Sequence, residues 1–180
     1  MRFKAPLLDA EQMARVMRRM AGEIVERNGG IADLMLVGIR TRGVPIAEKL
    51  AEHIAAMEGA APPIGILDIT LYRDDLSTIA PQPVVRESRF PEPIEGRTLV
   101  LCDDVLYTGR TIRAALDALL DYGRPKAVQL AVLVDRGWRE LPIHADFVGE
   151  SVKTSAEEVI KVSFESTDGH EDVQLLELVG

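Results

Sequence analysis

The chain predicts an α/β fold built on a parallel sheet, and three observations carry that expectation. Short apolar runs alternate with segments of helical period from residue 34 to residue 134. The runs at 34–39, 98–102 and 127–134 are apolar without alternation, the pattern of strands covered on both faces. Two of them lead through a Gly-containing turn straight into a helical segment, which places ligands at the carboxyl ends of the strands.

The elements follow in order. Asp9 with Gln12 three residues later reads as a capping box, and Met13, Val16, Met17, Met20, Ile24 and Val25 form the buried stripe of a first helix that Asn28-Gly29-Gly30 ends. Leu34 to Ile39 is the first core strand. Gly43 then turns into a helix carrying Ile46, Leu50, Ile54 and Met57 on one face, and Ile64 to Leu71 is the next strand. Residues 72–97 break the alternation. They are polar and punctuated by Pro81, Pro83, Pro91 and Pro93, which predicts a flexible hairpin acting as a lid. Thr98 to Cys102 is the strand before the loop Asp103 to Arg110, and apolar residues at Ile112, Ala115, Leu116, Leu119 and Leu120 mark the helix after it. Ala127 to Val134 is a further core strand. Short strands at 158–164 and 173–178, joined by a Thr-Asp-Gly-His turn, form a small C-terminal β cap within about 145–180, so residues 1–180 are one domain.

Bulk properties narrow the function. At 180 residues, 47% hydrophobic and 28% charged, the chain is globular and large enough for a real core. Cys102 is the single cysteine, so no internal disulfide forms, and His53, His144 and His170 lack metal-ligand spacing. No apolar run is long enough to span a membrane and the N-terminus lacks a hydrophobic signal core, which predicts a cytoplasmic protein with no membrane partner. The net charge of −8 opposes non-specific coating of nucleic acid. Much of that excess lies at 149–180, where eight acids face Lys153 and Lys161.

The segment 99–111, Leu-Val-Leu-Cys-Asp-Asp-Val-Leu-Tyr-Thr-Gly-Arg-Thr, is equipment for a phosphorylated sugar. Amides at a helix start lack intrahelical partners, so Thr108, Gly109, Arg110 and Thr111 can wrap a phosphate with N–H groups and two hydroxyls. Two adjacent carboxylates repel a phosphate. Asp103 and Asp104 therefore address the donating hydroxyls of a ribose diol and a Mg²⁺ shared with a diphosphate, held mainly through substrate and water. An acid pair alone reads as a solvated turn; strand, acids, Thr-Gly-Arg-Thr and amphipathic helix in sequence read as a site. Gly38-Ile39-Arg40-Thr41-Arg42-Gly43 occupies the same kind of edge, and amides of Thr41, Arg42 and Gly43 with the Arg42 guanidinium make it a diphosphate loop. Arg86, and less strongly Arg73, are lid cations. Trp138 reads as hydrophobic filler.

These motifs resemble the PRPP (phosphoribosyl diphosphate) site of type I phosphoribosyltransferases. Together with 68–76, Val-Asp-Arg-Gly at 134–137 and Arg-Glu-Leu-Pro-Ile at 139–143, they resemble more narrowly the bacterial family of bifunctional pyrimidine-operon regulators and uracil phosphoribosyltransferases, from Met1 to about Ser163. The resemblance implies the type I phosphoribosyltransferase fold and transfer of phosphoribose from PRPP to uracil, giving UMP and diphosphate with Mg²⁺. It also implies UMP-dependent binding to pyrimidine-operon leader RNA, and a homodimer or higher homo-oligomer. Asp103, Asp104 and Arg42 are then the catalytic set, and Val105, Leu106 and Tyr107 belong to the substrate-binding motif. Arg136 contacts base and diphosphate, and Ile160 offers a backbone contact to the base. Arg18, Arg19, Arg124, Lys126 and Arg139 are the candidate RNA face. The chain departs from the family at Trp138, His144 and Glu150-Ser151, mostly toward less positive charge. Base choice stays open on physical grounds, so a purine phosphoribosyltransferase and a catalytically silent nucleotide-sensing RNA-binding regulator remain alternatives.

Overall fold

The computed structural model describes residues 1–75 and 83–179. Its main sheet holds β2 (Leu34–Ile39), β3 (Ile64–Leu67), β4 (Thr98–Leu106), β5 (Ala127–Asp135) and β6 (Phe147–Ser151) in the order β3-β2-β4-β5-β6, all parallel. β2 is buried at all six positions because strands flank it on both sides and helices cover both faces.

The two faces are legible in the alternation of β2 and β4. Leu34, Leu36, Val100 and Cys102 pack with α1 (Ala10–Asn28) and α2 (Gly43–Glu58). Met35, Val37, Leu99 and Leu101 pack with α3 (Arg110–Leu119) on the other side. The capping box at Asp9 forms: its carboxylate accepts the Gln12 N–H at 2.8 Å, the Gln12 side chain accepts the Asp9 N–H at 2.9 Å, and Gly29 closes α1 in the left-handed conformation.

A second, antiparallel sheet has the order β1-β8-β7, from β1 (Arg2–Asp9), β8 (Asp172–Glu177) and β7 (Glu158–Ser163). Ile160, Val162, Phe164 and Val173 join it to the α1/α2 core. A one-turn helix, α4 (Glu165–Asp168), connects β7 to β8 where the sequence predicts a plain turn.

Several boundaries move. The strand expected over 64–71 stops at Leu67 and is followed by a 3₁₀ turn, Thr70–Tyr72. Phe147–Ser151, inside the stretch read as cap, is an edge strand of the main sheet. Met57, Leu116 and Leu120 are exposed, so the apolar faces of α2 and α3 are narrower than their sequences suggest. The tip of the expected hairpin, residues 76–82, lies outside the described residues; the flanks make one antiparallel bridge, Ile66 to Arg89.

Candidate active site

β4 runs four residues further than its apolar core predicts, so Asp103 and Asp104 lie inside the strand and not in the loop after it. That places them under cover. Asp103 is only 8% exposed, and its Oδ1 accepts the Asp104 N–H at 3.0 Å while Asp104 Oδ1 accepts the Val105 N–H at 2.8 Å. Burial pushes both carboxyls above the usual carboxylate range. Asp103 is raised further by the charge of its neighbour and drawn back by Arg73; Asp104 is drawn back by the N–H of Val105 and by Arg42.

Past the acids, Leu106 is buried and Val105 packs partly against the core, so these two carry the chain onward and Tyr107 emerges 40% exposed. Gly109, at φ +94°, takes the left-handed conformation at the N-terminus of α3 and needs no Cβ there. No side chain caps the helix in the usual way; the Thr108 hydroxyl reaches the Arg110 N–H at a long 3.3 Å. The first amides of α3 thus face a cleft of about 310 Å³ whose lining includes Arg73, Asp103, Tyr107, Thr108, Gly109 and Thr111. Asp74 and Asp75 line it too. Arg110, also on the cleft wall, donates to Asp74 and Glu140 at 2.7 Å each, and Arg73 holds Asp75 through two bonds of 2.8 and 2.9 Å.

The second loop arrives from β2. Gly43 sits so close to the end of β4 that a Cβ there would lie 2.1 Å from the Cys102 carbonyl oxygen. That contact sets the 38–43 loop directly beside the acid pair. Arg42 is not a free cation: it donates to both carboxylate oxygens of Asp168, at 2.6 and 3.0 Å, and to the Val162 carbonyl at 2.9 Å. Thr41 lines a separate recess of about 250 Å³ with Arg40, Ser166 and Thr167, so among the described residues the two loops meet at the close approach of Gly43 to Cys102 and not in one cavity.

Arg136, expected at the base and diphosphate, is buried at 6% exposure. Its guanidinium lies 4.0 Å over the Tyr107 ring and donates to Thr154 Oγ1 and the Ser155 carbonyl, while Asp135 pairs with Arg139 and Glu140 with Arg110. Tyr107 therefore connects Arg136 to the cleft. Ile160 is a core residue of β7. The Arg86 amide caps the Asp68 carboxylate and its side chain is exposed. Trp138 is not filler: it is 53% exposed, with its indole N–H on the Thr154 carbonyl at 2.8 Å. Of the basic candidates, Arg19 and Arg139 are taken up by carbonyl and carboxylate partners, whereas Arg18, Arg124 and Lys126 are exposed. Sequence reasoning missed Asp168 and the Tyr107–Arg136 stack. Asp168 stands 126 residues from Arg42, and no local pattern links them.

Comparison with known proteins agrees with this geometry. The family profile described as phosphoribosyl transferase domain matches residues 5–167. The chain is 59% identical over 180 residues to "Bifunctional protein PyrR" of Thermus aquaticus, covering 100% of this chain and 99% of that protein. It is 58% identical over 176 residues to the protein of the same name from Pelotomaculum thermopropionicum, covering 98% and 97%. Among solved structures, a hypoxanthine-guanine phosphoribosyltransferase of Bacillus anthracis superposes with a TM-score of 0.73 at 17% identity, covering 99% of this chain and 100% of that one. The hypoxanthine phosphoribosyltransferase of Trypanosoma cruzi does so with 0.73 at 16%, covering 98% of each. The structural matches establish the fold, and the sequence matches place it: the chain belongs to the phosphoribosyltransferase family, alongside the bifunctional PyrR proteins.

Proposed function

We propose that the chain transfers phosphoribose from PRPP to uracil, releasing diphosphate, and that its UMP-bound form regulates pyrimidine genes by binding their leader RNA. The observation that carries the enzymatic half is Asp103, the buried member of the acid pair near the end of β4, lining the same cleft as the uncapped N-terminus of α3.

The amides of Gly109, Arg110 and Thr111, with the hydroxyls of Thr108 and Thr111, hold the 5-phosphate at the positive end of α3. Asp103 and Asp104 accept hydrogen bonds from the ribose diol and stand beside the anomeric carbon. As the diphosphate leaves, positive charge grows on the ring, and the two carboxylates, one of them buried, stabilise it more than water could. Arg42 and the 41–43 amides meet the leaving group, and Arg86 adds charge from the lid. Arg136, stacked on the Tyr107 ring, borders the base, and the Ile160 backbone offers it a further contact. Catalysis is positioning and electrostatics with no covalent intermediate.

Mg²⁺ fits as a substrate-borne ion. Among the described residues no group of three or more His, Cys, Asp or Glu converges as a metal cage, while Mg²⁺ usually takes one or two carboxylates with phosphates and waters. Asp103 and Asp104 would hold it mainly through substrate and water. Bound there, it supplies positive charge to the diphosphate.

Two measurements test the reading. Diphosphate release with PRPP and Mg²⁺ should be fastest with uracil; faster release with hypoxanthine or guanine would move the assignment to a purine enzyme. In filter binding, pyrimidine leader RNA should bind more tightly with UMP than without, and more tightly than a scrambled RNA, with affinity falling as salt rises. Equal binding of both RNAs would leave an enzyme alone. No helix among the described residues is long and apolar enough to cross a membrane. A homodimer or larger homo-oligomer belongs to the same proposal, and light scattering reads it.

A further inference from the structure

We propose that Asp168 is the positioning residue that presents Arg42 to the departing diphosphate, an assignment that rests on the transferase reading above. Asp168 takes one N–H from each terminal nitrogen of Arg42, and the Val162 carbonyl takes the other N–H of Nη1. Nε–H and the second Nη2–H are left without an acceptor among the described residues. Those two donors form one lateral edge of a planar fork, the geometry that grips two oxygens of a phosphoryl group.

The carboxylate is itself fixed. Asp168 Oδ2 accepts the Phe164 N–H at 3.0 Å and the Thr167 hydroxyl at 2.8 Å, and Phe164 is a fully buried anchor of the α1/α2 core. A rigid path therefore runs from the core through α4 to the guanidinium. These contacts also hold Asp168 well below the usual carboxylate range, Arg42 contributing most.

A competing anion gives the pairing its purpose. Among the described residues, Asp104 is a second carboxyl whose field reaches Arg42, and the two bonds to Asp168 hold the guanidinium on Asp168 instead.

The test is a double-mutant cycle read two ways: affinity for inorganic diphosphate with Mg²⁺ by calorimetry, and KM for PRPP against KM for uracil. Asp168→Asn should weaken diphosphate binding and raise KM for PRPP by about tenfold, the scale of one charge-assisted contact, with KM for uracil unchanged. In an Arg42→Gln background the same change should add nothing. Wild-type diphosphate affinity in Asp168→Asn, or a loss that adds in full to that of Arg42→Gln, would overturn the proposal. If Asp168→Asn does not fold, Asp168→Glu, which keeps the charge and displaces the fork, runs the same cycle. Absence of turnover with every base, together with an intact cycle in diphosphate affinity, would remove the transferase reading and leave the Asp168 coupling standing.

Discussion

Asp104→Asn lowers kcat/KM for PRPP by roughly ten- to a hundredfold, the equivalent of losing one charged hydrogen bond at about 1.5–3 kcal/mol. The same substitution raises thermal stability at neutral pH. Burial lifts this carboxyl above the usual value, so between its unfolded and folded pKa the native state binds more protons than the unfolded chain, and stability falls as pH rises through that window. An amide cannot ionise and escapes the penalty. The stability gain over wild type should therefore be full above the folded pKa and vanish toward about pH 4, near the unfolded value. Steady-state kinetics and melting curves on ligand-free protein across that range read both effects. A variant with unchanged kinetics would remove Asp104 from the site. A variant less stable at pH 7 than at pH 4, relative to wild type, would contradict desolvation as the dominant influence on this carboxyl.

Gly43→Ala is the second large effect. The added methyl would stand 2.1 Å from the Cys102 carbonyl oxygen, and a backbone atom in the central strand cannot yield as a side chain can. Overpacking at such a site costs about 1–3 kcal/mol, which for a chain of this size lowers Tm by roughly 2–12 °C. The loop can relieve the clash only by lifting away from the acid pair, so KM for PRPP should rise as well. Gly22→Ala in α1 is the control. Its Cβ meets nothing within 4 Å, and replacing a helical glycine should stabilise by about 0.5–1 kcal/mol. Equal effects of the two substitutions would show that the close approach of Gly43 is unimportant.

Much of this was legible in the sequence because the signals were local. The capping box at Asp9, the apolar run of β2 and the Thr-Gly-Arg-Thr opening of α3 each depend on neighbours within a few residues, and each forms where expected. What escaped was non-local. β1 contains Pro6, lacks clean alternation and is ordered by pairing with β8 near the other end of the chain. β6 is a five-residue edge whose register is set by β5. The burial of the acid pair was hidden because the sequence marks where apolar residues stop, whereas the strand continues for as long as β5 offers partners, through Asp103↔Val132 to Leu106↔Asp135. Arg42 shows the same limit at the site. A basic turn announces a cation, but its partner Asp168 is brought there only by the packing of β7 and α4.

The central claim, that the acid pair and the α3 loop hold PRPP for transfer to uracil, is tested most directly by following labelled uracil into UMP. With PRPP and Mg²⁺ present, wild-type protein should convert it with equimolar release of diphosphate, and Asp103→Asn/Asp104→Asn protein that melts as a folded chain should not. Wild-type protein that forms no UMP, or a folded double variant that forms it at the wild-type rate, would contradict the account.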